Sequence, residues 1–524
     1  MQLIKNIFNK HKLFIIVFLI MLVPRLLDLG WDEWNVDAPR WQVRSDQFIR
    51  ALEKGELEDT YQSYHPGVTL MWLSGISKYA FYEVFESVYG YKAYVAPGYV
   101  YPEKFFVVAF IAKFPLVFVI SLLLAYSINL LYKTGIDKKY LYIFAFMISF
   151  EPFFLGITRF YHLTGLETSF VFSSFISIYY YLYTDRKYKN YLYLGGLFVG
   201  LGILTKLSAV IVLPFLIAMI FVCNYMKGKF IKPFFIDATI LIVFSYLTFL
   251  ILFPAAWFNP IGIFSKMRES GIDNIAFKDG PHRSILQNKY LYYYEIFFIK
   301  SLGLTFISLF AGLWLIFRKK VQNNNLKNLL LWAGLYILYY CFVLSFPSKQ
   351  MTRYTLLMYP FALLISSYAI YTLFNYLNKK WFYAAILIGL YYVLILQSIY
   401  PVFSTFHSDL IGEYPGYAKI GTIYNDGEHY LQVGQYLNTV GGMDAYNYAL
   451  VLPSANKDMS VGNAFVGHTF VKNIRGDKKF KYVYIAPDYY SLDKVPSNCE
   501  YVRGFGHRWP FKFDFLSLYK CPGN

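Results

Sequence analysis

Apolar runs long enough to cross a bilayer recur from the N-terminus to about residue 403, and they constrain this chain more than any other feature. A helix needs about 20 consecutive apolar residues to span the hydrocarbon core. Inside that core every backbone N–H and C=O must be bonded within the segment itself. Few architectures besides a polytopic helical membrane protein meet both demands. The approximate spans are 13–30, 105–132, 140–156, 160–183, 191–205, 207–225, 235–256, 296–317, 328–346, 355–376 and 381–403. No small-residue cleavage site follows the first, so it reads as a retained helix and not a signal peptide.

Charge sets the orientation. The net charge is +17, and much of it falls in Lys5/Lys10/Lys12, Lys133/Lys138/Lys139, Arg186/Lys187/Lys189, Lys227/Lys229/Lys232, Arg318/Lys319/Lys320/Lys327 and Lys379/Lys380. These clusters occupy every second connection. The positive-inside rule places them in the cytoplasm, and eleven spans then thread without conflict. The loops 31–104 and 257–295 and everything after residue 404 fall outside. The excess charge is thereby explained without a nucleic-acid partner. The expectation is a multi-pass protein of a prokaryotic inner membrane, with its chemistry on the extracytoplasmic side. No GxGxxG, GxxxxGK[ST] or Cys/His zinc spacing is present, so nucleotide binding and a structural zinc site have no support.

The outer segments carry structure of their own. Residues 40–54 and 67–85 have helical periodicity and read as amphipathic helices in the interfacial plane. The tail, 405–524, reads as a small α/β domain, with a helix near 428–438 and strands at Tyr448–Leu452, Tyr482–Ile485 and Phe513–Tyr519. Cys223 and Cys341 fall in spans and read as packing residues. Cys499 precedes the strand-like Tyr501-Val502, and Cys521 follows Phe513–Tyr519. Two antiparallel strands joined through 504–510 would bring the two cysteines together in an oxidising compartment, so a disulfide is expected.

Charged residues at a membrane boundary are costly to hold in a dry pocket and mark candidate functional sites. Asp37 lies just outside the first span, with Arg40 and Arg44 at i+3 and i+7. It reads either as a general base held ionised by cations or as a helix N-cap ahead of Pro39. Asp32-Glu33 is a competing acidic pair beside Trp31 and Trp34. Lys113, Arg159, Lys206 and Arg353 sit at outer helix ends. They read either as donors to an anionic lipid phosphate or as snorkelling side chains. His65, His162 and His282 complete the outer set, each as a hydrogen-bonding residue or a catalyst.

Four segments carry a family resemblance: Asp37-Ala38-Pro39-Arg40-Trp41-Gln42-Val43-Arg44, His65-Pro66-Gly67-Val68-Thr69-Leu70-Met71-Trp72, Gly200-Leu201-Gly202-Ile203-Leu204-Thr205-Lys206 and Lys349-Gln350-Met351-Thr352-Arg353-Tyr354. Together they resemble the GT-C superfamily of polyprenyl-phosphate-sugar-dependent glycosyltransferases. The similar branch holds dolichyl-phosphate-mannose–protein mannosyltransferases and the lipid A aminoarabinose transferase. The resemblance implies a GT-C-like transmembrane domain over 1–404 and an extracytoplasmic domain over 405–524. It implies an inverting glycosyltransferase using a polyprenyl-phosphate-linked sugar donor and a glycan, lipid or protein acceptor in a membrane-lipid setting. Asp37 would be the base, and Arg353, Lys206 and Arg159 would hold the donor phosphate, with Tyr354 beside them. The family's Asp-Glu is here Asp37-Ala38. An entry-motif Asp is replaced by Thr164, with Glu167 one turn on as its substitute. No cofactor is demanded, although the family leaves room for a divalent cation. The rival readings are a lipid-linked saccharide transporter or flippase, and a non-catalytic relative acting as a binding subunit.

Overall fold

The computed structural model describes residues 2–228, 231–275, 286, 288–347, 350–420, 428–453, 464–474 and 479–522. Helix α1 (Gln2–Leu26) is followed by two outer helices, α2 (Ala38–Lys54) and α3 (Val68–Tyr89), and by a small antiparallel ribbon, β1 (Tyr94–Ala96) with β2 (Tyr99–Val100). The bundle continues through α4 (Phe105–Lys133), α5 (Lys138–Phe150), the short α6 (Pro152–Ile157), α7 (Leu163–Tyr183), α8 (Asn190–Thr205), α9 (Val212–Met226) and α10 (Ile231–Leu252). Next come α11 (Ala255–Phe258), α12 (Pro260–Ile275), α13 (Tyr292–Lys300), α14 (Gly303–Phe317), α15 (Asn324–Leu344), α16 (Tyr359–Tyr376) and α17 (Trp381–Ile399).

Each expected span coincides with helix. Among the described residues six are long and apolar enough to cross a membrane on their own: Pro102–Lys133, Leu207–Met226, Ile231–Leu252, Asn324–Leu344, Thr352–Tyr376 and Asn378–Ile399. Two others, α8 and α14, are shorter apolar helices. The third and eighth expected spans are broken, and the two breaks meet. Glu151, at the α5–α6 break before Pro152, accepts from Leu302 N at 2.8 Å and from Thr305 Oγ1 at 2.6 Å. A carboxylate thus caps the N-terminus of α14, where unsatisfied amides and the helix dipole favour negative charge.

α7 is the axis of the bundle. Its residues from Leu163 to Leu182 are all buried. It packs closely on α8, where a Cβ at Gly195 would lie 2.5 Å from Ile178 Cδ1, and α8 packs on α10, where a Cβ at Gly200 would lie 2.5 Å from Ser245 O. Small residues of this kind let helix backbones approach where lipid offers no hydrophobic drive to associate.

The two ends of the bundle differ in chemistry. At one end the basic connections interlock: Lys139 Nζ donates to Asn375 Oδ1 at 3.0 Å, Asn325 Nδ2 to Thr134 O at 2.8 Å, and Lys227 Nζ to Asp185 Oδ1 at 2.7 Å. Tyr179, near the C-terminus of α7, donates to Asn325 O at this same end. The N-terminus of α7, about 25 Å from Tyr179 at 1.5 Å per residue, is capped by His162 and lies among the other candidate site residues.

The C-terminal domain docks at that second end. It contains α18 (Glu413–Ile420), α19 (Tyr430–Gly441) and strands β3 (Tyr448–Leu452), β4 (His468–Val471), β5 (Tyr482–Ile485), β6 (Glu500–His507) and β7 (Phe513–Cys521). The sheet order is β4-β3-β5-β7-β6, parallel through β4, β3 and β5 and antiparallel through β7 and β6. Alternation along β3 sends Leu450 and Leu452 to a core with Val433 and Leu437 of α19, and Ala449 and Val451 to the opposite face. Cys499, just before β6, and Cys521, at the end of the antiparallel β7, form a disulfide with Cα atoms 4.2 Å apart, the pairing expected from the sequence. Cys223 and Cys341 are free and buried. His507 ties β6 to α18 and to the segment that follows α17, with Nδ1 at 2.8 Å from Glu413 Oε2 and Nε2 at 2.7 Å from Thr405 Oγ1.

Candidate active site

Asp37 occupies the N-cap position of α2, with Pro39 in the first turn, but its side chain accepts no capping hydrogen bond. The carboxylate turns instead toward the bundle. Its Oδ2 accepts from Arg353 Nη2 at 2.8 Å and lies 3.5 Å from His162 Nε2, and Arg40 approaches Oδ1 at 3.8 Å. The imidazole of His162 is itself fixed, because Nδ1 accepts from the backbone N–H of Thr164 at 3.2 Å. A ring whose Nδ1 accepts an amide proton carries its own proton on Nε2, the atom that faces Asp37. Burial pushes the Asp37 carboxyl upward. The His162 contact and the charges of Arg353, His162 and Arg40 outweigh it, and hold the group well below the usual carboxylate range.

Tyr161 holds this geometry in place. Its ring stacks on Trp34 at 5.1 Å, and its hydroxyl meets Ser45 of α2 at 2.9 Å and Ser74 of α3 at 2.8 Å. One phenol thus ties both outer helices to the entry of α7. No charge or motif in the sequence marks Tyr161 for this role.

Lys206 lies where α8 stops. It is 3% exposed, with Nζ 3.1 Å from Glu167 Oε2 and 4.1 Å from the ring centroid of Tyr354. A cation at a helix C-terminus over an aromatic face is favoured on both counts. Ser208 Oγ donates to the other Glu167 oxygen. The neighbouring Thr205 receives the second motif: Gly67 N donates to Thr205 O at 3.1 Å, and the Thr69 and Thr205 hydroxyls meet at 2.7 Å. Gly67 has φ +63, and a Cβ there would lie 2.2 Å from the Trp41 ring, so the turn requires glycine. Lys206 interacts electrostatically with Arg353 and Asp37, and Arg44, stacked 4.7 Å over Trp41, interacts with Asp37 and Tyr64. Four cations, Arg40, Arg44, Lys206 and Arg353, therefore surround two carboxylates, Asp37 and Glu167. The surplus positive charge suits a singly charged phosphodiester.

Arg159 belongs to a second cluster. Its Nε lies 3.2 Å from Asp32 Oδ2, Nη2 donates to Leu27 O, and the guanidinium stacks 4.9 Å from the Phe403 centroid. Lys113 Nζ donates to Asp32 Oδ1 and to Glu33 O, both at 2.6 Å. Asp32 is 3% exposed and is satisfied further by Gly30 N at 3.0 Å. The structure thus brings Asp37, Arg40, Arg44, His162, Glu167, Lys206, Arg353 and Tyr354 together, and separates Arg159 from them. The His65 ring packs at a tilt against Tyr64, with centroids 4.1 Å apart, beside the Gly67 turn. His282 lies outside the described residues.

A divalent cation does not fit around Asp37, whose near neighbours are two guanidinium groups and an imidazole N–H that would repel it. Among the described residues no group of three or more His, Cys, Asp or Glu side chains is placed to hold a metal ion.

Residues 93–265 match the family model described as dolichyl-phosphate-mannose-protein mannosyltransferase. No curated protein sequence matches the chain. Among solved structures, the chain is similar to ArnT from Cupriavidus metallidurans in the apo state, at 11% identity and TM-score 0.48, covering 97% of each chain. It is also similar to the same protein bound to undecaprenyl phosphate, at 10% identity and TM-score 0.47, covering 98% of each chain.

Proposed function

We propose that this protein is an inverting glycosyltransferase that moves a sugar from a polyprenyl-phosphate donor to an acceptor hydroxyl on the extracytoplasmic side of a prokaryotic inner membrane. The carrying observation is Asp37, a partly buried carboxylate turned away from its capping position and held between Arg353 and His162. The family match over 93–265, to enzymes named for a polyprenyl-type phosphate sugar, supports the donor class.

In this reading the acceptor oxygen attacks the anomeric carbon as its proton passes to Asp37. The bond between the anomeric carbon and the phosphate oxygen breaks, and the polyprenyl phosphate leaves with the electron pair. Arg353 and Lys206 stabilise the charge that develops there. The phosphate competes with Asp37 for Arg353. Its arrival therefore weakens the interaction that depresses the basicity of Asp37, and the base strengthens when the donor is in place. The Nε2–H of His162 keeps the carboxylate oriented throughout. Arg159 serves the neighbouring Asp32 cluster and supports the loop that presents Asp37.

The two unlike ends of the bundle support this sidedness. The interlocked basic connections lie at the end away from the site, and the positive-inside rule assigns such an end to the cytoplasm. A reporter fused after residue 420 should be active only outside the cytoplasm, and cytoplasmic activity would reverse the orientation. The reaction itself is tested by incubating the purified protein with a polyprenyl-phosphate sugar of known anomeric configuration. Release of polyprenyl phosphate with inversion supports the proposal, and retention of configuration overturns a single displacement.

A further inference from the structure

A second concavity lies on the outer side of the C-terminal domain, at the seam between the end of α17, α19 and the β6–β7 hairpin. Its volume is about 540 Å³, within the range of ligand sites. Two hydrogen bonds to backbone carbonyls fix its walls: Arg508 N donates to Ser398 O at 2.7 Å, and the Gln432 side chain donates through Nε2 to Trp31 O at 2.8 Å. Through Gln432 the groove touches the same loop that carries Asp37.

The lining has the features of a saccharide platform. Trp509 is 72% exposed on the hairpin tip, where a large ring contributes little to the domain core. The Arg503 guanidinium lies over both Tyr436 and Phe505, 4.9 Å from each ring centroid, and is thereby held flat and rigid. A guanidinium so fixed offers a ready fork to a carboxylate or phosphate. Arg508 and Lys512 add charge, against one lining carboxylate, Asp514.

Two polar atoms at the groove are unmatched among the described residues. His429 lines the groove and is 3% exposed, and its Nε2 has no hydrogen-bond partner; neither has Gln432 Oε1. Unpaired buried polar groups are costly and call for an explanation. His429 also has φ +64, a left-handed conformation that a non-glycine residue adopts at some cost and that clusters at functional positions. The adjacent residue, Glu428, lines a smaller cavity together with Arg353. Neighbouring residues of one short segment therefore face the outer groove and the catalytic side.

We propose that this groove binds an acidic saccharide, the outer portion of the acceptor, while the reacting hydroxyl is presented to Asp37. The Trp509 ring packs against a sugar face, Arg503 pairs with the acidic group, and His429 and Gln432 meet ring hydroxyls. The acceptor role rests on the transferase reading above; the binding site itself does not.

The test is calorimetric titration of the full-length, detergent-purified protein with tetragalacturonate, maltotetraose and hexaglutamate. Tetragalacturonate should bind at least tenfold more tightly than maltotetraose, and hexaglutamate should not bind. Trp509→Ala and Arg503→Gln should each weaken tetragalacturonate at least tenfold while donor hydrolysis to water is unchanged. Trp509 is exposed, so its variant keeps the fold if Arg503→Gln does not. Equal binding by both variants, or hexaglutamate binding as tightly as tetragalacturonate, overturns the proposal. Donor turnover without saccharide binding overturns the groove alone. Saccharide binding without donor turnover overturns the transferase reading and leaves the groove as a binding site.

Discussion

Arg353 donates through Nη2 to Asp37 Oδ2 at 2.8 Å, joining residues 316 positions apart. The first belongs to the entry of the tenth expected span and the second to the loop after the first span. The pair closes the site from two sides, and in the displacement proposed above the carboxylate would receive a proton and the guanidinium would hold the leaving phosphate.

The guanidinium should not be replaceable by another cation. Arg353→Lys loses the planar fork that meets phosphate and carboxylate together, and an ammonium cannot rebuild it. Affinity for the donor phosphate should fall about tenfold, the scale of one charge-assisted hydrogen bond. Binding of polyprenyl phosphate, measured by titration, checks this; unchanged affinity contradicts the assignment.

The pH dependence has a defined sign. The neighbours of Asp37 depress its pKa, so in the free enzyme it stays ionised throughout the range above the ordinary carboxylate value of about 4. The acid limb of kcat/KM should therefore lie below that value. Arg353→Gln removes a positive neighbour, disfavours the anion and should move the limb upward. A profile carried down to about pH 2 reads both. A wild-type limb near pH 6, or no upward movement in the variant, contradicts the electrostatics.

Asp32 should behave as a structural acid. Asp32→Asn leaves Lys113 and Arg159 buried without their counter-charge, and breaking such a group costs about 3–5 kcal/mol. The expected outcome is a marked loss of monodisperse protein by size exclusion, with unchanged turnover per folded molecule.

The disulfide should stabilise the tail alone. Cys499→Ser opens a loop with a sequence separation of 22, worth about 3 kcal/mol in the chain-entropy model. Limited proteolysis should cut the C-terminal domain sooner in the variant. Helical content of the bundle should not change.

Much of this was legible in the sequence because membranes make charge conspicuous. Asp37, Lys206 and Arg353 stand out as costly residues beside apolar runs, and their motifs converge in space. The positions of β3 and β5 follow from short apolar runs bounded by turns. What stayed hidden depends on distant pairing. Nothing near Arg159 in the sequence shows that Asp32 faces its guanidinium. Nothing near Glu151 reveals that the eighth expected span breaks at Ser301-Leu302 beside it, where the carboxylate meets Leu302 N and Thr305 Oγ1. Strand β4, only His468–Val471, is too short to show a pattern, and it forms by pairing along β3.

The most direct measurement compares Asp37→Asn with the unaltered protein, both purified and folded, for sugar transfer from a polyprenyl-phosphate donor. The amide preserves the size of the side chain and removes its capacity to take a proton. Turnover should fall at least about a hundredfold, the low end for a positioned general base, while polyprenyl phosphate still binds. Near-normal turnover in Asp37→Asn, with turnover abolished in folded Asp32→Asn, would contradict the account and move the base to the earlier acid.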